Sequence, residues 1–516
     1  MIESYYHPLR ILVVDDDRAW RKLLRLILKR HLGRSVKVTA TDDYRKARVA
    51  VSKDSYDLVS VDLKLSETEL GGSYSGRSLL DNIRRESREP RCGLIILSGF
   101  GTEDIAVESL RDYHVDDFIK KSRVTLSDPS VYIAAIRRAL LRSLLVRAST
   151  MVRNRIVLTL TSNRRRLLQG ELRAFNRVTK IARTTTNPFN AAALLSGADV
   201  IGQQIIHGRK GMWRRAAKRL GREIFDNLRG ASPIYDLFVI GRELAGTSSS
   251  TLQLEFSGPL QNVKLPFELM YDNDYLVFNH IMTRSLSEGT SRSERFHEFI
   301  KRISAIEGQQ RPNTKHLQVV IVGVNNESGQ HCEREARAVG TSLTTSLEAL
   351  DVPHEVKTLI GKQATYRNLE DSLREGCHIF HFAGHADYER SLPEKSVIHL
   401  FDRSVSAANL RSLFREKDTQ FVFLSCCLSA NVASKTARGD FYGFLDAFYQ
   451  VGTPTILGYR WPVNDYSANL LAVNFYRALF RNLCPAHSLL RARELAATEI
   501  GRDEDIWASA VLFMQN

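Results

Sequence analysis

The stretch Leu12–Asp17, with the sequence LVVDDD, places three acidic residues directly after a short apolar strand. The same arrangement returns at Leu58–Asp62, where the strand LVSV ends in an aspartate. Between these two stretches, apolar residues from Trp20 to Leu28 recur at the spacing of one helix face. Strands that alternate with amphipathic helices predict a doubly wound parallel α/β sheet, whose site lies at the carboxyl ends of the strands.

Two further apolar strands of this region also end near residues that can carry chemistry. Ser98 follows the strand Leu94–Leu97, and Lys121 comes shortly after Phe118–Ile119. With Val36–Ala40, they complete five predicted parallel strands. Acidic side chains that converge at one sheet edge repel each other unless a cation joins them, and an oxygen-only site suits Mg²⁺. A metal-neutralised carboxylate beside a lysine can accept a phosphoryl group, although a single aspartate after a strand is more often a turn or helix cap.

Taken together, these strand ends resemble the response-regulator receiver family over residues 8–145. The resemblance implies that Mg²⁺ is bound by four residues, the last through a nearby backbone carbonyl: Asp15, Asp16, Asp62 and Lys64. It implies that Asp62 is also the phosphoacceptor and that a histidine kinase or phosphotransfer protein is the phosphodonor. The phosphoryl contacts and the aromatic switch position fall on Ser98, Lys121 and Phe118.

Three features near this site depart from the family pattern. Ser66 stands where the family normally has proline, and Glu67–Ser75 lengthens the following loop. Ser122 replaces the proline that usually follows the lysine. The family has a cis peptide bond there, which costs about 2.5–4 kcal/mol without proline against about 0.5–1 kcal/mol with it. Lys121 is therefore expected to be held differently, and the third acidic residue, Asp17, has no assigned role.

The 516-residue chain has a net charge of +15, and its basic residues are concentrated in one segment. Between Arg137 and Arg229 there are 21 Lys and Arg residues against four acidic ones, which leaves the rest of the chain nearly neutral. So basic a segment predicts either a nucleic-acid or acidic partner, or a solvated face or intramolecular contact that binds nothing else. The helix-turn-helix and zinc-finger signatures that would favour DNA are missing from the sequence.

Composition and cysteine spacing exclude several classes of protein. No apolar run approaches the roughly 18–20 residues that cross a bilayer, and the N-terminus lacks a basic region followed by an apolar core. A cytoplasmic protein with no membrane contact is therefore expected. The six cysteines form no CxxC pair, so neither a zinc site nor a disulfide framework is predicted.

The alternation of strands and helices returns from Leu317 onward, and two of its strands lead to a histidine and a cysteine. The strand Ile379–Phe382 runs into His385, and Phe421–Leu424 runs into Cys427. In a parallel sheet the carboxyl ends of strands lie on one edge, so the two side chains are expected to meet. A thiol with a pKa of about 8.5 is mostly protonated at pH 7, and an imidazole that takes its proton creates a nucleophile.

The segments HIFHFAGHADY (His378–Tyr388) and FVFLSCCLSA (Phe421–Ala430) resemble the catalytic segments of CHAT domains, caspase-like peptidases related to separases. By position, the resemblance implies Cys427 as the nucleophile and His385 as the base. It implies no cofactor for the peptidase, and an unidentified protein as its substrate. Further similar segments bring its extent to residues 210–516: Leu265–Leu269, Pro454–Trp461 and Trp507–Phe513.

Residues that compete with this dyad have simpler explanations. His381 lies within its strand and His378 begins it, so both are expected to be packed side chains. Cys426 is expected to fill space as a small apolar residue. Ala386 stands where the family commonly has glycine, whose N–H helps to form the oxyanion hole. A left-handed backbone at this position would cost alanine about 1 kcal/mol or more.

The sequence gives little indication of which residues form the specificity pocket of the implied peptidase. Separase-like relatives often favour basic P1 residues, which requires an acidic S1 pocket. Asp465, in WPVND, and Asp402, in HLFDRS, are its candidates. Both are explained equally well as helix caps or loop residues, so the choice stays open.

The sequence thus predicts an α/β protein of four regions. These are a five-stranded receiver domain at 1–147, a basic and largely helical linker at 148–210, a non-catalytic first half of the CHAT domain at 211–310, and its caspase-like catalytic half at 311–516. One predicted function is a cysteine endopeptidase of a signalling or defence pathway, regulated by receiver phosphorylation. The alternative is a catalytically silent signalling scaffold whose CHAT-like domain binds a partner when the receiver is phosphorylated.

Overall fold

The computed structural model shows regular strands and helices in both halves of the chain. It describes residues 9–33, 36–53, 56–63, 79–80, 83, 92–99, 114–150, 154–160, 168–174, 177–184, 188–208, 210–247, 251–286, 295–304, 316–325, 331–389, 392–428, 442–502 and 504–515. These residues form two compact units, the first mainly within 9–150 and the second mainly within 154–515.

The first unit contains a sheet of five parallel strands in the order β2-β1-β3-β4-β5, which confirms the predicted doubly wound sheet. Every residue of β3 and β4 is buried, as expected for a parallel sheet that is covered on both faces. The strands are β1 Arg10–Val14, β2 Lys37–Thr41, β3 Leu58–Val61, β4 Gly93–Ser98 and β5 Asp117–Lys120.

Three described helices cover this sheet: α1 Arg18–Leu32, α2 Tyr44–Lys53 and α3 Ser130–Thr150. Two apolar cores result, one on each face. Leu24 of α1 and Tyr132 of α3 belong to one core, and Ala47 of α2 belongs to the other. The helix α1 begins directly after β1, so the acidic residues between them lie at the carboxyl edge of the sheet.

The second unit contains one mixed sheet of thirteen strands. Along it the order is β14-β13-β15-β18-β19-β20-β12-β9-β6-β7-β8. Off this path, β16 pairs with β15 and β17 pairs with β16. Its strands are β6 Asn154–Leu160, β7 Leu168–Ala174, β8 Arg177–Arg183, β9 Leu252–Gly258, β12 Ile281–Leu286, β13 Leu317–Gly323, β14 His354–Ile360, β15 Ile379–Asp387, β16 Val397–His399, β17 Ser404–Ser406, β18 Phe421–Leu428, β19 Thr455–Tyr459 and β20 Ala510–Met514. A separate hairpin pairs β10 Tyr271–Asp272 with β11 Asp274–Tyr275.

Twelve described helices belong to this unit. They are α4 Ala191–Ile206, α5 Lys210–Gly230, α6 Ser232–Thr247, α7 Leu260–Val263, α8 Phe296–Ile303, α9 His331–Ala349, α10 Tyr366–Arg374, α11 Ala407–Phe414, α12 Tyr442–Gln450, α13 Asp465–Asn482, α14 Pro485–Ile500 and α15 Ile506–Ser509. The strands β14, β13, β15, β18 and β19 are mutually parallel, whereas β20 runs antiparallel to β19. The carboxyl ends of β15 and β18 therefore lie side by side at one edge of the sheet.

The region expected to be a largely helical linker, 148–210, differs from that expectation. It contributes three strands, β6, β7 and β8, and the parallel pairing of β6 with β9 builds them into the large sheet. Only α4 is helical within the part of 154–208 that the structure describes. Backbone pairing with β9 and within the β6-β7-β8 meander determines this structure, whereas the polar and basic side chains of β7 and β8 hide the apolar period.

Candidate functional site

The acidic residues after β1 and β3 meet Ser98 and Lys121 in one pocket of the first unit. Asp62 is 5% exposed, and its carboxylate accepts a hydrogen bond of 2.7 Å from Ser98 Oγ. Lys121 Nζ lies 2.6 Å from Asp62 Oδ2 and 2.7 Å from Asp15 Oδ2. A single ammonium group thus neutralises two buried carboxylates.

The residues of this pocket fit a divalent cation. Carboxylate oxygens of Asp15, Asp16 and Asp62 all lie within 4.8 Å of one another, and hard cations such as Mg²⁺ prefer oxygen ligands. Burial raises the pKa of Asp15 above its ordinary value, although the hydrogen bond from Lys121 lowers it in part. A carboxylate held in this way gains from a nearby positive charge, which a bound cation would supply.

Lys121 is held on both sides. Burial lowers its pKa, but its hydrogen bonds to Asp15 and Asp62 outweigh burial and raise the pKa above the ordinary value of lysine. Its ammonium group also lies 5.2 Å from the centre of the Trp20 ring, a contact that the sequence did not reveal. The described residues contain no cis peptide bond, so the bond between Lys121 and Ser122 is trans.

Two neighbours shape the loop that carries the acids. Asp17 begins α1 as its cap, because its side chain accepts a hydrogen bond from the Ala19 N–H. Arg21 donates to the carbonyl oxygens of Asp15 at 2.6 Å and Asp16 at 2.9 Å. Asp17 therefore has a local structural role, and Arg21 holds the backbone of both predicted metal ligands.

The remaining predicted receiver residues lie in different situations. Phe118 lies half-buried on β5 and packs at the margin of the core that contains Ala47. Lys64, Ser66 and the loop Glu67–Ser75 lie outside the described residues. Their predicted roles stay predictions.

In the second unit, His385 and Cys427 occupy directly paired positions of the parallel strands β15 and β18. Paired backbone positions on neighbouring strands lie about 4.8 Å apart and belong to the same face of the sheet. Both positions lie near the ends of their strands rather than beyond them, because β15 continues to Asp387 and β18 to Leu428. The placement of the Cys427 side chain lies outside what the structure describes.

Below this pair, the same face of β15 carries a buried polar network. His381 is completely buried, its Nε2 lies 3.2 Å from Glu335 Oε1 of α9, and its Nδ1 lies 3.3 Å from the Tyr476 hydroxyl of α13. His378 Nδ1 accepts a hydrogen bond of 2.9 Å from the Gln318 N–H. These contacts agree with packed rather than catalytic histidines.

The two residues next to the predicted dyad belong to the opposite face. Cys426 pairs with Gly384 and packs in the apolar core between the sheet and helices α10, α11 and α12. Burial raises the pKa of the Cys426 thiol well above its ordinary value, which keeps it protonated and unreactive. Ala386 is buried and its φ is not positive, so the backbone strain considered for alanine does not arise.

The two candidate S1 acids belong to different elements of the second unit. Asp402 lies exposed in the turn between β16 and β17, where it accepts from the Tyr366 N–H at 2.9 Å and from Arg403 at 3.2 Å. Asp465 begins α13, directly after its cap Asn464, and so lies near the carboxyl end of β19. Asp402 thus accepts the first N–H of α10 beside the N-cap Thr365, and the S1 roles of Asp402 and Asp465 stay predictions.

Family models match both units of the chain. The model of the response regulator receiver domain matches residues 11–126, and that of the CHAT domain matches residues 215–515, more than half of the chain. The chain belongs to the CHAT domain family. It thus joins a receiver domain to a CHAT domain with the α/β fold of caspase-like cysteine peptidases, as the sequence segments around His385 and Cys427 predicted.

Solved structures similar to parts of the chain include receiver domains and a cysteine proteinase. A response regulator from Burkholderia pseudomallei, with a phosphorylated aspartic acid, a calcium ion and citrate, is 22% identical, with a TM-score of 0.21 over 25% of this chain and 65% of its own. A receiver domain from Methanospirillum hungatei is 23% identical, with a TM-score of 0.22 over 26% of this chain and 94% of its own. The Arg-specific cysteine proteinase gingipain R is 10% identical, with a TM-score of 0.36 over 55% of this chain and 67% of its own. Among curated proteins, none matches the chain.

The basic segment between Arg137 and Arg229 is spread over several elements, from α3 to α5. On α5 a groove of about 560 Å³ is lined by both signs of charge: Arg215, Lys218, Arg219, Arg222, Glu223, Asp226 and Asn227. Lys218 lies 4.6 Å and Arg222 5.3 Å from the centre of the Tyr271 ring. Within the described residues, the chain has no helix of the length and apolar character that crossing a membrane requires.

Proposed function

We propose that this protein is a cytoplasmic cysteine endopeptidase whose CHAT domain is regulated by phosphorylation of its receiver domain. The observation that carries the proposal is the strand register that sets His385 beside Cys427 at the carboxyl edge of a parallel sheet. This edge is where α/β folds place their reactive residues. The proposed substrate is a protein partner in a signalling or defence pathway.

The proposed cleavage is an acyl transfer through a thioester. His385 takes the proton of the Cys427 thiol, the thiolate sulfur forms a bond to the scissile carbonyl carbon, and the same imidazole then protonates the departing amine. Water, deprotonated by the imidazole, next attacks the thioester and releases the acid and the free thiol. The buried network of His381, Glu335 and Tyr476 gives β15 a fixed position beneath His385.

The proposed switch is phosphoryl transfer to Asp62 from a histidine kinase or phosphotransfer protein. A carboxylate oxygen of Asp62 forms a bond to phosphorus as the bond to the donor nitrogen breaks. Mg²⁺ at Asp15, Asp16 and Asp62, with a carbonyl near Lys64, would neutralise charge on the transferred oxygens. Ser98 and Lys121 contact the Asp62 carboxylate, which supports their proposed role in binding the phosphoryl group. Phe118 is the proposed switch side chain.

The test is cleavage of a peptide library by the full chain, with and without Mg²⁺ and beryllofluoride as a phosphoryl mimic. We expect Cys427→Ala and His385→Ala to lower cleavage at least about a thousandfold, since each removes half of the proposed dyad. Asp62→Asn is expected to cleave the library at the same basal rate with and without the mimic. Cys426→Ala serves as the matched thiol control and is expected to retain cleavage.

Different failures point to different parts of the proposal. Cleavage that survives in Cys427→Ala would remove this residue as the nucleophile. Cleavage that depends on Cys427 but ignores beryllofluoride would remove the regulation and leave the peptidase. An Asp465→Asn variant that keeps its preference for basic P1 residues would remove Asp465 from the S1 pocket.

A second function, a catalytically silent scaffold, is favoured by one observation at Ala386. This residue pairs with Leu428 of β18 on one side and with Ile398 of β16 on the other. Strands on both sides engage the local backbone in ladders, which competes with the use of its N–H for an oxyanion hole. Absence of cleavage under every condition, with partner binding that still follows phosphorylation, would support the scaffold.

A further inference from the structure

The strand β8, Arg177–Arg183, lies at one end of the large sheet and is unusually open to solvent. Six of its seven residues are exposed, and the seventh, Ala182, is half-buried. Two of the exposed residues are large and apolar: Val178 is 47% exposed and Ile181 is 52% exposed. Solvent therefore reaches both faces of β8.

The outer edge of β8 carries backbone groups available for pairing. Among the described residues, β8 pairs with one strand, β7, and no strand lies on its other side. A strand at a sheet edge presents a row of N–H and C=O groups to which another extended segment can add. Arg183 Nε donates to Gln169 of β7 at 2.9 Å, and Thr179 Oγ1 donates to the Leu172 carbonyl at 3.0 Å. The pairing with β7 shifts its register at Thr179, which has no partner in the ladder, and is regular on both sides of it.

The charges of β8 select what this edge can accept. Arg177, Lys180 and Arg183 are exposed, the strand contains no acidic residue, and none of the three forms an ion pair within the described residues. Antiparallel pairing of two copies of β8 about Lys180 would set Lys180 against Lys180 and would bring Arg177 near Arg183. Like charges directly opposite each other destabilise a strand pair, so the sequence of β8 disfavours a second copy of this chain.

We propose that β8 is a docking edge for an extended acidic peptide segment of a partner protein, which adds to the sheet as a further strand. Backbone hydrogen bonds to the outer edge of β8 supply the affinity, and the cations supply the selectivity. The cations and the two apolar residues define the matching strand. It carries acidic residues facing Arg177, Lys180 and Arg183, and apolar residues facing Val178 and Ile181.

This docking edge is separate from the proposed peptidase site. Seven strand steps lie between β18 and β8 along the sheet, which at about 4.8 Å a step is roughly 34 Å. Substitutions on β8 therefore leave His385 and Cys427 in place. Failure of the docking proposal and failure of the peptidase proposal are measured independently.

The experiment is a binding titration of the full chain with a fluorescein-labelled peptide, Glu-Val-Thr-Glu-Val-Thr-Glu, followed by fluorescence anisotropy. We expect saturable binding to the wild-type chain and none to a peptide with lysine at the three acidic positions. A peptide with N-methyl groups on alternate amides keeps its charge but cannot pair as a strand. We expect it to bind at least about tenfold more weakly, because the backbone hydrogen bonds are lost.

Matched variants locate the site. Lys180→Glu is expected to weaken peptide binding about tenfold or more, since it sets an acidic residue against acidic residues of the peptide. Lys218→Glu makes the same change at an exposed position of α5 and is expected to leave the affinity unchanged. A circular dichroism spectrum shared by both variants and the wild type establishes that both fold.

Four results would overturn the proposal. Equal binding of the N-methylated peptide shows attraction of charge alone. Equal loss in Lys180→Glu and Lys218→Glu shows a diffuse basic surface. Displacement of the peptide by a single-stranded RNA oligonucleotide that binds more tightly, and that Lys180→Glu weakens equally, assigns β8 to nucleic acid. A concentration-dependent dimer that Lys180→Glu abolishes assigns it to a second copy of this chain.

Discussion

At the scale of single residues, Lys121 determines the charge state of the receiver pocket. Its ammonium group contacts the carboxylates of Asp15 and Asp62, and the Trp20 ring lies over it. The proline that normally follows this lysine is replaced by Ser122, and the aromatic contact and two ion pairs hold the side chain in its place. A cation that enters this pocket must share the two carboxylates with Lys121.

We predict that Lys121→Met binds Mg²⁺ about tenfold more tightly than the wild type. Removal of the ammonium group leaves two buried carboxylates without their counter-charge and removes a positive charge next to the cation. Isothermal titration calorimetry of the full chain measures the affinity. Lys120→Met, one residue earlier and exposed, is the control and is expected to bind like the wild type. An unchanged or weaker affinity of Lys121→Met would contradict the sharing of carboxylates.

A second residue, His280, makes the stability of the second unit depend on pH. It lies half-buried against Phe238, and burial lowers its pKa to about 4, with Arg242 adding to the effect. Because the unfolded chain has the ordinary histidine pKa of about 6.5, it binds more protons than the folded chain between these values. The contribution of His280 to the unfolding free energy is therefore fully present above about pH 6.5, and it is lost progressively as the pH is lowered toward 4.

We predict that His280→Asn removes about 2–3 kcal/mol of this acid sensitivity between pH 7 and pH 4.5. Urea denaturation at both pH values, followed by tryptophan fluorescence, measures it. His207→Asn is the matched control, because His207 is exposed at the end of α4. If His280→Asn loses as much stability as the wild type on acidification, another group carries the pH dependence.

At the scale of elements, the strands with apolar residues on both faces are those that the sequence predicts best. Leu58–Val61 is predicted and observed with the same bounds, and Phe421–Leu424 forms the first half of β18. β7 and β8, in contrast, form the end of the sheet, with β8 as its edge strand, and polar or basic residues interrupt the apolar ones in both. They join the sheet through β6, which pairs with the distant strand β9, and no local period reveals that pairing.

The residues of the two candidate sites likewise divide into those that the sequence predicts and those that it does not. The register of His385 against Cys427 could be predicted from two apolar strands that end in reactive residues. Trp20 and Arg21 could not be assigned to the receiver pocket, because on the sequence Trp20 belongs to the apolar face of α1 and Arg21 is one of several basic residues of this helix. In the sequence, an aspartate directly before a helical period indicates the capping role of Asp17. The same signal is found at most helix starts.

One buried ion pair links β12 to the segment that follows α7. Arg284 of β12 donates to both carboxylate oxygens of Glu268 and to the carbonyl oxygens of Val263 and Leu265. Arg460, which follows β19, also donates to the Leu265 carbonyl at 3.1 Å. Burial raises the pKa of Glu268, but the charges of Arg284, Arg460 and Arg493 outweigh it and lower the pKa below its ordinary value.

We predict that Glu268→Gln lowers the unfolding free energy of the second unit by about 3–5 kcal/mol, because buried guanidinium groups lose their counter-charge. Urea denaturation at pH 7 measures the change. Glu223→Gln, an exposed substitution of the same kind on α5, is expected to stay within about 0.5 kcal/mol of the wild type. The double variant Glu268→Gln with Arg284→Met is expected to be more stable than the single one, and a further loss would contradict the assigned role of the pair.

At the scale of the whole molecule, the chain combines two compact units with different chemistry. The first holds an acidic pocket suited to a cation and a phosphoryl group, and the second holds the paired His385 and Cys427 positions. A ligand that binds only one folded unit stabilises that unit according to its concentration and affinity. Regulation between the units requires, in addition, that the ligand-bound first unit changes the free energy of the second.

Differential scanning calorimetry of the full chain separates these two effects. We predict two transitions, of which Mg²⁺ at a hundred times its Kd raises only that of the first unit, by about 5–10 °C. Glu268→Gln is expected to lower only the other transition. Addition of beryllofluoride with Mg²⁺ is expected to move the second transition too, by a few degrees in either direction, and Asp62→Asn to abolish that movement. A second transition that never responds to the mimic would contradict regulation of the peptidase by the receiver. A second transition that responds to the mimic in the Cys427→Ala variant would show that the coupling precedes any chemistry at the thiol.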